Sequence, residues 1–213
     1  QNDIPVAVSD TGFTVAEDGV LLIDSDALIA NDTDRDGDPI TFTRIVSVTG
    51  GTAVIDGAGQ ITFTPTADFN GTATLAYEIT DGNGGLATGT AAIDVTPVVD
   101  APRLAADAFV GTEDQTVIIP VLSLLANDFD PDGHSFQVTS VSDAIGGTVE
   151  LDGAGNVIFT PADNVNGEVS FRYTVTDTTG ETATSDVTVD LAAVNDAPEL
   201  STPLADQEFG EDS

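Results

Sequence analysis

"TATLAYEITDGNGGLATGTAAIDVT", residues 72–96, reads as two strands and the turn that joins them. Apolar residues recur at every second position through both halves, the period of a half-buried extended chain; an amphipathic helix would need 3.6. Asp81-Gly82-Asn83-Gly84-Gly85 supplies the glycines that the positive backbone angles of a hairpin turn require. Leu75, Tyr77 and Ile79 therefore share one face, and that face is the core.

The same reading extends outward. Strands are predicted near residues 13–16, 19–23, 40–48, 52–56, 60–64, 72–80 and 86–96, with "DGAGQ" (56–60) closing a second hairpin. Helix is confined to a single turn in "DSDALIA" (24–30) and its counterpart "VLSLLA" (121–126). The unit is then written again: "LIANDTDRDGD" at Leu28 returns as "LLANDFDPDGH" at Leu124, and "DGAGQITFTP" at Asp56 as "DGAGNVIFTP" at Asp152, an offset of 152 − 56 = 96 residues. The offset carries Tyr77 to Tyr173, Asp81 to Asp177 and Asp100 to Asp196, so Phe171, Tyr173 and Val175 form the second core face. "NDAPELSTPLADQEFGEDS" from Asn195 resembles the start of both units. The expected organisation is a repeat over 1–99, a second over 100–196, and the first strand of a truncated third over 197–213, the whole a piece of a longer tandem array. Seven short strands in about 96 residues fit an all-β fold of tandem seven-stranded antiparallel Greek-key sandwiches.

Four Lys and Arg against 37 Asp and Glu give a net charge of −33, which repels nucleic acid and anionic membranes. There is no Cys, so disulfides contribute nothing. No run of about 18 apolar residues is present to span a bilayer. One His, no Cys and no nucleophile elbow leave no catalytic set. Carboxylate pairs for glycoside cleavage would have to lie in a cleft, whereas these cluster at unit ends.

The acidic residues carry the functional signal. Asp32, Asp34 and Asp36 followed by Gly37 match the first half of an EF-hand loop, but the twelfth position holds Thr43, and Thr139 in the second unit, where a bidentate Glu is needed. The remaining oxygens must come from elsewhere in the fold.

"VAEDG" with "GTEDQ", "LIANDTDRDGD" with "LLANDFDPDGH", "YEITDGNGG" with "YTVTDTTG", and "NDAP" at 195–198 together resemble a bacterial cadherin-like repeat of the kind found in tandem in large secreted adhesins of the RTX type. The resemblance covers nearly the whole chain. It implies a Ca2+-binding, extracellular module whose ions sit between successive repeats. Carried over, the junction between the two units would draw on Glu17 and Asp18, on Asp100 of the linker, and on Asp128, Asp130, Asp132 and Asp177. The matching positions at the outer ends are Asp32, Asp34, Asp36 and Asp81, and Glu113, Asn195 and Asp196. The chain departs from the pattern at Val99, where the next linker has Asn195, and at His134, which stands where the first unit has Asp38.

Electrostatics supports a cation independently. Five carboxylates within about 5 Å of one point make ten like-charge pairs, each costing roughly 0.8 kcal/mol even at the dielectric of water. The sum, about 8 kcal/mol, rivals the roughly 5–15 kcal/mol stability of a whole domain. Oxygen-only ligands on flexible loops favour Ca2+; Mg2+ wants a tighter octahedron, and Zn2+ wants Cys or His. The bland alternatives are solvated turns for the aspartate loops, edge-strand charges for Glu17, Asp18, Glu113 and Asp114, and hairpin starts for Asp81 and Asp177.

The expected role is an extender stiffened by Ca2+ in a secreted or surface-displayed bacterial adhesin, monomeric, with neighbouring repeats of the same chain as partners. The competing readings are a module binding polysaccharide or another copy of the adhesin, for which Phe69 is the exposed aromatic candidate, and a spacer in a secreted enzyme.

Overall fold

The computed structural model describes residues 2–196; the expected strand of a third unit, 197–213, lies outside the described residues. The chain forms two compact units, divided between Asp100 and Ala101. The first contains β1 (Asp10–Ala16), β2 (Leu21–Asp24), α1 (Ser25–Ile29), β3 (Thr41–Thr49), β4 (Gly51–Ile55), β5 (Gln60–Pro65), β6 (Gly71–Thr80) and β7 (Leu86–Thr96). The second contains β8 (Asp107–Thr112), β9 (Val117–Pro120), α2 (Val121–Leu124), β10 (Phe136–Ile145), β11 (Gly147–Leu151), β12 (Asn156–Pro161), β13 (Gly167–Asp177) and β14 (Thr182–Ala192). Each unit is a sandwich of a four-stranded sheet, β1-β7-β6-β3 or β8-β14-β13-β10, and a three-stranded one, β2-β5-β4 or β9-β12-β11.

One expectation is corrected. The sandwich is not antiparallel throughout, because β1 runs parallel to β7 and β8 parallel to β14. The cause is parity: seven strands that alternate in direction leave the first and last pointing the same way. Each unit therefore receives the chain at one end and releases it at the other.

The inward faces are those the period of two marks out. Along β6, Ala73, Leu75, Tyr77 and Ile79 are buried, and Val169, Phe171, Tyr173 and Val175 repeat the pattern on β13. They meet Ile61 and Phe63 of β5, or Val157 and Phe159 of β12, from the opposite sheet. Phe69 is corrected as well: it is half-buried and packs on the first core instead of standing free, as does its counterpart Val165 on the second. In the β6–β7 turn, Gly82 and Gly84 take φ of +77° and +106°, and at Gly89 a Cβ would fall onto the Tyr77 ring.

Helix α1 is capped by Asp24, which accepts the Asp26 N–H at 3.0 Å, and it buries Leu28. Pro120 holds the corresponding position before α2 and offers no side-chain cap; α2 shortens and continues as a 3-10 turn over Leu125–Asn127.

Both core tyrosines carry a buried polar tip. The Tyr77 hydroxyl donates to Asp10 Oδ2 at 2.7 Å and lies 2.8 Å from the Leu28 carbonyl, while Asn31 donates to Asp10 Oδ1 at 3.0 Å. In the second unit, Tyr173 donates to Asp128 Oδ2 at 2.8 Å. A buried hydroxyl and a buried carboxylate satisfy each other here, and either one alone would be costly.

Tyr77→Phe leaves Asp10 buried with one partner fewer, so urea unfolding is expected to show a loss of about 1–3 kcal/mol. Burial raises the Asp10 carboxyl above its ordinary 3.8; hydrogen bonds from Tyr77 and Asn31 oppose this, and Asp32 adds to it. A carboxylate with a raised folded pKa destabilises the fold while ionised and ceases to once protonated. Asp152, held below 3.8 chiefly by the Asn156 amide, acts in the opposite sense: its contribution is full above 3.8 and is lost as pH falls through its lowered pKa. In chelator, the melting temperature is expected to rise on acidification from neutral pH and to turn down below 3.8. Asp10→Asn should flatten the rise.

Candidate metal centre

The loop after α1 divides its aspartates among separate tasks. Asp32 Oδ1 accepts the Val8 N–H at 2.7 Å and so ties down the segment preceding β1, where Val6 and Thr33 form an isolated bridge. Asp34 Oδ1 accepts two N–H groups of its own loop, Asp36 at 2.8 Å and Asp38 at 3.3 Å. Asp36 Oδ2 accepts the Asp3 N–H at 2.6 Å. One oxygen of each carboxylate thus holds backbone in place, as aspartates in turns commonly do. The other oxygens of Asp32 and Asp34 are buried without a hydrogen-bond partner.

The second loop reproduces this arrangement. Asp128 Oδ1 accepts the Ala105 N–H at 2.9 Å, and its Oδ2 takes the Tyr173 hydroxyl, so both oxygens serve the fold. Asp130 Oδ1 accepts from the N–H groups of Asp132 and His134, both at 3.0 Å. Asp130 Oδ2 is buried and unpartnered, on a side chain only 1% exposed. Ligating atoms of Asp34, Asp36 and Asp38 lie within 4.8 Å of one another, as do those of Asp130, Asp132 and His134.

Asp81 and Asp177 stand apart from these trios. Asp81 Oδ1 accepts from Asn83 and Gly85 N–H, its Oδ2 from the Asn2 amide at 2.8 Å, and the Asn2 bond holds its carboxyl below the ordinary range. Asp177 Oδ1 collects the N–H groups of Thr179, Gly180 and Glu181. Burial pushes the Asp177 carboxyl up, but the Thr179 hydroxyl and these amides outweigh it and leave it lowered. Glu17 is buried and accepts the Val98 N–H at 2.6 Å; a carboxylate oxygen of Asp100 lies within 4.8 Å of it. Glu113 accepts Val194 N–H at 2.6 Å and the Asn166 amide at 3.0 Å. Asp18, Asn195 and Asp196 are exposed.

Sequence reading missed Asp10 and Asp107, which partner the tyrosine clusters. Their positions differ by 97 residues, not 96, because β1 holds one extra residue in a bulge at Thr11-Gly12, with Gly12 at φ +92°. Aligning the bulged strand by its pairing, Asp10 with Ala91 and Asp107 with Val187, would have exposed them.

Unpartnered anionic oxygens gathered in oxygen-rich loops fit a hard divalent cation. Two tandem sandwiches with such loops define the class of protein, and the chain belongs to the cadherin-like domain family, whose model matches residues 1–96 and 98–192. A cadherin-like fold suggests an adhesion or extender module. No curated protein matches the chain. Among solved structures it is similar to the human desmocollin-1 ectodomain, with 12% identity over 91% of this chain and 41% of that one and a TM-score of 0.53. It is similar too to human protocadherin-24 EC1-2, with 14% identity, 91% and 100% coverage and a TM-score of 0.45. An endo-fucoidan hydrolase of glycoside hydrolase family 107 matches with 17% identity over 90% of this chain and 29% of its own, TM-score 0.34. The chain thus spans well under half of the desmocollin ectodomain and of the hydrolase. Among the described residues, no helix is long and apolar enough to cross a membrane.

Asp130→Ala strands two loop N–H donors and is expected to lower metal-free stability by about 1–3 kcal/mol. Asp130→Asn keeps the acceptor oxygen and removes the buried charge, so in chelator it should be neutral or stabilising. Thermal melts of the two variants in chelator check the pair.

Proposed function

We propose that the two units are Ca2+-binding modules of an extracellular extender in a large bacterial surface adhesin, and that the ion stiffens the array. The observation that supports this best is Asp130: a carboxylate 99% buried by side-chain area, using one oxygen for its own loop and leaving the other without a partner. Burial of an anion on those terms is unfavourable unless a cation supplies the missing interaction. In this reading Asp130 and Asp132 are the ion ligands of the second unit, and Glu17 and Asp100 are the acidic groups that the first unit carries at its exit end. Asp128 and Asp177, whose oxygens are engaged with Tyr173 or with turn amides, shape the loops around them. Asp34 and Asp36 hold the same office at the entry end of the first unit, Glu113, Asn195 and Asp196 at the exit end of the second.

The reading is non-enzymatic. Both tyrosine rings are fully buried, which removes them as a stacking platform for sugar. The protein is taken to act as a monomer whose partners are its neighbouring repeats. Extracellular Ca2+ modules bind at about 10⁻⁴–10⁻³ M, which suits secretion and makes them inert in the cytosol.

Small-angle scattering and thermal melts with Ca2+ and with chelator test the proposal. Ca2+ is expected to increase the maximum dimension, raise the melting temperature and slow proteolysis of the linker. Asp130→Asn should abolish most of the gain and Asp34→Asn little of it, because Asp130 is buried and Asp34 only half-buried. A Ca2+ response that is absent, or equal in both variants, refutes the proposal.

A further inference from the structure

The two acidic loops share one backbone and differ in chemistry at their fifth position. Asp34 and Asp130 each draw in the N–H groups two and four residues ahead, so the side chains of Asp38 and His134 are delivered to the same place. His134 Nδ1 lies 3.6 Å from Asp130 Oδ1 and 3.9 Å from Asp132 Oδ2. It is buried, with no hydrogen-bond partner, and so is Asp130 Oδ2. Two unpartnered ligand atoms therefore belong to one loop, one on a side chain 1% exposed and the other on an imidazole 34% exposed, which leaves a path for an ion to enter.

The geometry points to a first-row transition-metal site in the second unit, with Zn2+ as the representative ion, held by Asp130, Asp132 and His134. The inference deepens the proposed function, because it takes that loop to be a cation site. Metal–ligand bonds of roughly 2.0–2.2 Å in a tetrahedral site place neighbouring ligand atoms about 3.3–3.6 Å apart, so small side-chain adjustments close the observed gaps. Imidazole nitrogen is a poor partner for Ca2+ and Mg2+ but a strong one for Zn2+, Ni2+ and Cu2+. With no Cys in the chain and His134 its single His, this is the one place where a nitrogen donor joins carboxylates. The first loop, with Asp34, Asp36 and Asp38, offers oxygen alone and keeps the preference for Ca2+. Two repeats built on one template would then sort cations by a single side chain.

The test uses the whole untagged chain, titrated with Zn2+ in the presence of Ca2+ by calorimetry and followed through the single imidazole by proton NMR. The expected result is saturable movement of the imidazole resonances with one equivalent of Zn2+, beyond any change that Ca2+ alone produces. His134→Asp restores the residue the first unit carries and so preserves the loop; it should weaken Zn2+ binding by at least about tenfold, the loss that even an outer partner of a ligand causes. Unmoved imidazole resonances, or equal Zn2+ isotherms for the protein and His134→Asp, overturn the assignment and leave His134 as an ion-pair partner of Asp130 and Asp132. Failure of the Ca2+ reading shows separately, as negligible Ca2+ heats for the protein and a melting temperature that Ca2+ does not raise, and does not change the Zn2+ readout.

Discussion

An aspartate has two oxygens, and the turn that positions it consumes one. Asp34 and Asp130 both fold their loops by accepting N–H groups from two and four residues ahead, and both are left with a buried oxygen that protein does not satisfy. The same hydrogen bonds that make the loop rigid thus fix where the excess charge lies. A solvated turn would expose the second oxygen to water, whose dielectric removes most of the cost. Burial is what converts a turn residue into a candidate ligand, and it separates Asp130 from Asp56, which anchors its turn in the same manner but is exposed, and from Asp152, whose second oxygen accepts the Asn156 amide.

The sandwich places these loops where they can serve a tandem array. Because each unit has an odd number of alternating strands, β1 pairs parallel with β7 and β8 with β14, and entry and exit lie at opposite ends. Glu17 and Glu113 close their strands at the exit end by accepting N–H groups from the chain as it leaves, at Val98 and Val194. The aspartate loops follow α1 and α2 at the other end and are pinned by Val8 and Ala105 N–H groups. Each unit therefore carries acidic groups at both ends as a consequence of its topology.

Much of this was readable from the residues, because strands in a half-buried sheet write their period directly into the chain. The seven strands of the first unit fall within a few residues of expectation, and Leu75, Tyr77 and Ile79 do share the core face. What escaped were features that depend on pairing or on the division of labour within a side chain. The parallel β1–β7 ladder joins residues about 80 apart and leaves no local signature. Asp10 and Asp107 were hidden by a one-residue bulge, and Phe69 looked exposed because a loop position says nothing of what folds over it. Among the aspartates, spacing identified the loops but could not assign their oxygens. Asp32 and Asp128 occupy equivalent positions, yet Asp128 has both oxygens engaged and Asp32 one.

That last difference shows how two repeats of one template diverge without changing fold. In the first unit Tyr77 bonds to Asp10, leaving the Asp32 oxygen unpartnered; in the second, Tyr173 bonds to Asp128 with Asp107 alongside. One hydroxyl proton serves a two-carboxylate cluster in each case, and a small shift decides which acid receives it. The clusters sit two residues from Asp34 and Asp130, on the same loops, so a tyrosine in the core and an ion at the unit end share a segment of backbone. Under the proposed cation reading, an ion held by Asp130 would act two residues from the Asp128 contact to Tyr173, and so on the stability of the sandwich as well as on its loop.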